Sequence, residues 1–356
     1  MLSIKQSVRL GAGALTLVVL ASSCGDDDGA ESNASETVVT AAADVTTEPT
    51  AATTEAIGGA AATAPDGAPI ETVTVTDATG EITVPITTEG IVALDEFTAL
   101  NLLSLGVRAD TTLVQFQTGL LEPILEAEGL ALEVGVPFEV NLELVASLAP
   151  DLVAGVPLPA IVDARDQIDE EIAPVVVVDF FGTDWRTQLE LLASVTGTTE
   201  RKEELEATVD AAIDELAADI EAAGLGGTTV SFLEATAEGP AVGGNDRQAG
   251  EILRRVGLER PAAEDLDGTG VEPISLEDLA DHDAEFMLVS AGVEPSANDS
   301  PLRSEDGVKA EVFYWDSEDV LGALAIVTDL RRLLPDEQPP LGADAPLQMW
   351  NRFLAE

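Results

Sequence analysis

The chain has 356 residues, of which 67 are Asp or Glu and 16 are Lys or Arg, giving a formal net charge of −51. Such a surface repels nucleic acid and anionic lipid headgroups alike. One histidine and one cysteine in the whole chain exclude an internal disulfide, argue against a tight zinc site, and leave almost nothing from which to build a nucleophile and its base.

The first element is an address. Lys5 and Arg9 form a positive start, and Leu10 to Leu20 is an apolar run too short to span a bilayer. It ends at Cys24, the sole cysteine. The stretch resembles a bacterial lipobox, in which residues 1–23 are removed and Cys24 is acylated. Residues 24–70 are then expected to form an acidic tether. From Gly25 to Ile70 there is no Lys, Arg or aromatic residue, so the segment has too little apolar surface to offset its ordering entropy. As a random coil it spans roughly 35–40 Å. The expected location is the outer face of a cell membrane, held by lipid.

From Glu71 onward the chain is long enough for two domains. Thr72 to Pro85 reads as a hairpin, Ile91 to Leu94 as a buried strand with a helix behind it through Leu103, and Thr111 to Val114 as the next strand. A helix follows over 120–128, another from Asn141, a strand over 151–154, and a helix over 161–170. The β-branched run Val175 to Val178 marks a strand covered on both faces. Alternating helix and strand predict an α/β fold with mostly parallel sheets. After a helix from Asp184 comes the longest periodic segment, 199–223, with Leu205, Val209, Ile213, Leu216 and Ile220 at helical spacing. At about 37 Å it is long enough to join two lobes, over 71–198 and 225–356, with 199–224 as the strut between them. The second lobe is expected to bring a strand over 229–233, a helix capped by Asn245, a helix from Ser275, strands over 286–289 and 312–315, a helix over 319–334, a Pro-rich turn over 336–343 and a last helix over 346–354.

Residues 141–153 and 275–287 repeat one another. Leu142, Glu143 and Ala146 recur as Leu276, Glu277 and Ala280, with Asn141 and Ser275 both suited to cap a helix. Two copies suggest two similar lobes with a ligand between them. These segments also carry a family resemblance. Ile91–Asp95, Leu103–Val107, Asn141–Gly155, Gly250–Leu258 and Ile274–Ala280, in that order behind a lipobox, resemble the substrate-binding proteins of iron-siderophore ABC importers, over about Val73 to Leu334. The resemblance implies two α/β lobes joined by one long helix with little hinge movement. It also implies an ABC permease and its ATPase as partners, to which Glu143 and Glu277 would dock. A corrinoid or haem carrier on the same scaffold, and a tethered surface protein without a transport role, are the alternatives.

No enzyme is expected. His282 lies inside the second repeat, no phosphate-binding Gly-Lys-Ser/Thr loop is present, and Gly243-Gly244-Asn245 reads as a turn. No resident cofactor or bound metal is expected either, since a chelator supplies its own ligand atoms. The protein then needs aromatic walls and a few donors beyond the carboxyl ends of its strands. On that rule Phe116, Phe180, Trp185, Tyr314 and Trp315 are candidate walls, and Arg247 a candidate donor to ligand oxygens. The cargo is a small iron chelate and the chain is expected to act as a monomer.

Overall fold

The computed structural model describes residues 71–180, 182–236, 239–275, 277–290, 308–312, 315, 317–334 and 345–354. The leader, Cys24, the tether, Tyr314 and the turn over 336–343 lie outside them.

A hairpin opens the fold, β1 (Thr72–Asp77) and β2 (Gly80–Pro85). It docks on the first lobe through Asp77, whose carboxylate accepts from the Val177 N–H at 2.9 Å. The first lobe then winds through β3 (Ile91–Ala93), α1 (Glu96–Ser104), β4 (Thr111–Val114), α2 (Glu122–Ala127), β5 (Leu132–Val134), α3 (Leu142–Leu148), β6 (Leu152–Gly155), α4 (Pro159–Glu171), β7 (Val175–Val177) and α5 (Trp185–Thr196). All five strands of its sheet are parallel, in the order β5-β4-β3-β6-β7. The chain therefore winds outward from β3, then crosses back to β6, which puts the topological switch point between β3 and β6. Parallel strands covered on both faces need continuous apolar runs, and β3, β6 and β7 are buried at every residue.

Helix α6 (Thr199–Ala223) has the bounds that its periodicity predicts, and Gly224 closes it in the left-handed conformation. The second lobe follows with β8 (Val230–Thr236), β9 (Gly239–Gly243), α7 (Gln248–Arg255), β10 (Val271–Pro273), β11 (Phe286–Ser290), β12 (Val308–Val312), α8 (Val320–Leu330) and α9 (Ala345–Leu354). Its sheet order is β10-β9-β8-β11-β12, the same winding as the first lobe. Here β8, β11 and β12 are parallel, while β9 and β10 are antiparallel. The sequence repeat falls at the same place in both sheets, immediately before the fourth strand, β6 or β11.

Several expected elements differ. The second repeat copy forms a single 3-10 turn, Leu279–His282, not an α-helix. Its acids Asp281 and Asp283 would face the negative end of a helix, and its buried His282 is held by Glu264 at 3.3 Å. Helix α7 is capped at Arg247 rather than Asn245, because the Asn245 side chain is engaged by Asp265 and Arg260. The strand expected over 312–315 meets β12 (Val308–Val312) at Val312; residues 313 and 314 lie outside the described residues. Three short strands, β5, β9 and β10, were not anticipated from the sequence.

The lobes share a core. One hydrophobic cluster runs from Leu100, Leu121 and Leu189 through the five buried residues of α6 to Phe232, Leu253, Ile326 and Trp350. Each fully buried aliphatic side chain is worth about 1.5–3 kcal/mol, so α6 is fixed to both lobes over its length. Asp210 adds a polar tie. Its Oδ1 accepts from Arg186 of α5 at 2.7 Å and from Arg255 of α7 at 2.6 Å. Helix α9 also reaches back, Trp350 donating to Glu128 beyond α2 at 3.1 Å.

Candidate functional site

The carboxyl edge of the first sheet is built by two buried acids in sequence. Asp95 caps α1, accepting from the Thr98 N–H and hydroxyl at 2.8 and 2.9 Å. Its second oxygen accepts from the Val156 N–H at 2.9 Å, tying the loops after β3 and β6 together at the switch point. Burial pushes its carboxyl up to about 6, against the hydrogen bonds from Thr98 and Val156. Glu96, equally buried, accepts from the N–H groups of Gln115, Phe116 and Gln117 at 2.8, 3.0 and 2.9 Å. It thereby holds the loop after β4.

Four phenyl rings converge there. Phe97 lies edge-on to Phe116 at 4.8 Å between centroids and against Phe180 at 4.5 Å. Phe138 meets Phe116 edge-on at 5.7 Å and is 50% exposed. Phe180 is buried and forms the floor of the group. Gln117 and Phe138 have φ of 51° and 61°, a region that non-glycine residues rarely enter. Such strain gathers where a loop is fixed for binding. Beside the rings a cavity of 380 Å³ opens between β4, β5 and α3, lined by Val114, Gln115, Glu133, Val136, Glu139 and Leu144 among others.

In the second lobe Arg247 opens α7. Its Nε lies 3.5 Å from Glu234 Oε1 and 3.3 Å from Glu318 Oε1, so the expected ligand donor already serves two carboxylates. Glu318 in turn accepts from the Gln248 N–H at 3.1 Å, satisfying the bare helix start. Burial pushes Glu318 up to about 7, with Arg247 acting against it.

The tryptophans turn inward. Trp185 is 3% exposed in the core, with the Arg186 guanidinium 4.4 Å over its ring. Trp315 is 1% exposed, packs on Phe232 and donates to Asp329 at 3.0 Å. Neither offers a face to a ligand, which corrects their expected role as walls; Phe180 contributes only from beneath. Phe116 is half-buried at the edge. Phe97 and Phe138, which the sequence reading missed, complete the group. Glu143 is exposed in the first turn of α3, and Glu277 is exposed in the turn before Leu279. Among the described residues no group of three or more His, Cys, Asp and Glu is placed to hold a metal, and no helix is long and apolar enough to cross a membrane.

A family model described as periplasmic binding protein matches residues 87–311. Among solved structures, the chain superposes on the periplasmic catecholate-siderophore binding protein VctP of Vibrio cholerae with a TM-score of 0.57 at 16% identity, covering 74% of this chain and 100% of that one. SirA of Staphylococcus aureus gives 0.56 at 19%, covering 70% and 99%. The siderophore periplasmic binding protein from the fuscachelin gene cluster of Thermobifida fusca gives 0.54 at 21%, covering 68% and 95%. No curated protein sequence matches the chain.

Proposed function

This chain belongs to the periplasmic binding protein family, whose members bind substrates and are not enzymes, and we propose that it captures a ferric siderophore for an ABC importer. In this reading Cys24 carries the lipid anchor, the ligand sits between the carboxyl edges of the two sheets, and a membrane permease with its ATPase receives it. The observation that carries the reading is the ring group Phe97, Phe116, Phe138 and Phe180 at a switch point, held by Glu96 and bordered by strained backbone. Open α/β sheets bind ligands at such points. Partly exposed aromatic faces suit a bulky chelate that brings its own metal ligands. Glu143 and Glu277 are exposed at matching places of the two lobes. They are the proposed contacts to the permease, where rim charges govern encounter and register more than folding.

The test is calorimetric titration with hydroxamate and catecholate siderophores, each with and without iron, and with haem and cobalamin. Tight binding of a ferric complex, and weaker binding of its iron-free form, is expected. Binding of haem or cobalamin with no ferric siderophore bound would replace this reading with a tetrapyrrole carrier.

A further inference from the structure

The charge of the ligand can be read from the side chains that would meet it, given the siderophore-binding reading above. The 380 Å³ cavity beside the phenyl rings is lined by no lysine or arginine among the described residues, but by Glu133 and Glu139. Both are exposed. Gln115 lines the same cavity and is 2% exposed. Its Nε2 donates to the Glu139 carbonyl at 3.2 Å. That contact fixes the amide, because the flipped form would set oxygen against oxygen. Its Oε1 is then a buried acceptor with no hydrogen-bond partner, an arrangement that native proteins rarely leave unanswered.

Among the described residues, the two candidate cations offer no relief for an anion. Arg247 is shared by Glu234 and Glu318, both largely buried, so the three side chains together supply no surplus positive charge. Arg186, the other candidate cation, is paired with Asp210 and stacked on Trp185. An anionic ligand entering here loses its hydration opposite carboxylates and gains no free counter-charge. A neutral or cationic one meets acceptors.

We propose that the site selects a ferric chelate with no net negative charge, which presents a hydroxyl, amide or ammonium donor to Gln115 and apolar surface to Phe116 and Phe138. The acidic cavity wall is thus a specificity element, not only a solvated surface.

The experiment titrates the acylated full chain, in non-ionic detergent at moderate ionic strength, with three probes. These are monocationic ferrioxamine B, neutral ferrichrome and trianionic ferric enterobactin. The cationic or the neutral complex is expected to bind on the order of tenfold tighter than the trianionic one, or more. Glu133→Gln with Glu139→Gln removes two exposed charges and should weaken ferrioxamine B about three- to tenfold, a larger change than for neutral ferrichrome. Tighter binding of ferric enterobactin than of both others overturns the charge selection and leaves the siderophore reading standing. Unchanged ferrioxamine B affinity in the double variant overturns the assignment of selection to this cavity. Failure of all three probes to bind overturns the siderophore reading, and this inference with it.

Discussion

Glu96 should be the most consequential single side chain at the candidate site, because it holds the loop that carries Phe116. Its carboxylate accepts three backbone N–H groups of the loop after β4, at 2.8 to 3.0 Å. One of those belongs to Gln117, which holds a positive φ. A hydrogen bond to a charged acceptor contributes about 1.5–3 kcal/mol, and a buried donor left bare costs a similar amount. In Glu96→Ala the buried Gln115 N–H and the half-buried Phe116 N–H lose their partner, whereas water can reach exposed Gln117. Two such losses give about 3–6 kcal/mol, a large share of the roughly 5–15 kcal/mol that holds a typical domain folded. Glu96→Gln keeps one acceptor oxygen and should cost about half as much. Urea denaturation followed by far-UV circular dichroism measures both. Titration with whichever ferric complex binds should show a further loss of affinity in the folded fraction, because Phe116 is no longer held. A loss below about 1 kcal/mol in the alanine variant, or equal losses in both variants, would refute the clamp.

Four further outcomes are expected. Asp210→Ala severs the tie between Arg186 and Arg255; since Asp210 is substantially exposed, the loss should be about 1 kcal/mol, smaller in high salt, as read by urea denaturation at two ionic strengths. Burial raises Glu318 from the ordinary 4.5 to about 7, so the native state binds the extra proton, and the stability this confers is complete below 4.5 and lost as pH rises through 7. Glu318→Gln should therefore remove a decline of order 3 kcal/mol across that window in a pH series of unfolding midpoints. Glu143→Ala with Glu277→Ala should spare ligand affinity and stop uptake of radiolabelled ferric complex by cells; normal uptake removes the docking role. Cys24→Ala should abolish fatty-acid labelling and leave the unfolding midpoint unchanged.

The fold was legible wherever burial dictates composition. Five apolar residues at helical spacing bound α6 to 199–223, and Val175 to Val177 could only be a strand covered on both faces. Caps spoken by side chains were legible too, as at Asp95, Asn141 and Asp184. What escaped were elements made by pairing rather than by local pattern. β9 is a Gly-Pro-Ala-Val-Gly run that becomes a strand only against β8, and β10 only against β9. The repeat misled locally and informed globally. Similar residues give an α-helix in one copy and a 3-10 turn in the other, where the buried His282 is held by Glu264. Yet both copies lead into the strand that crosses back across the sheet.

The site was less legible, and the reason traces to two particular residues. The rule that ligands lie beyond strand ends locates positions along the chain but says nothing of which way a side chain turns. Trp185 and Trp315 satisfy the rule and point into the core. Phe97 satisfies it better, since it follows β3, the strand at the switch point. But strand order is a long-range property, and from the sequence Phe97 is one more apolar residue behind the cap at Asp95. Phe138 was lost through β5. That strand has three residues at a sheet edge, two of them exposed, so neither length nor burial marks it. Without β5, residues 135–140 are an unassigned linker. With it, they are the loop beyond a carboxyl end, and the same rule that nominated Phe116 after β4 would have nominated Phe138 after β5, edge-on to Phe116. The binding surface follows from the winding order of the sheet, and the short edge strand is what closes the count.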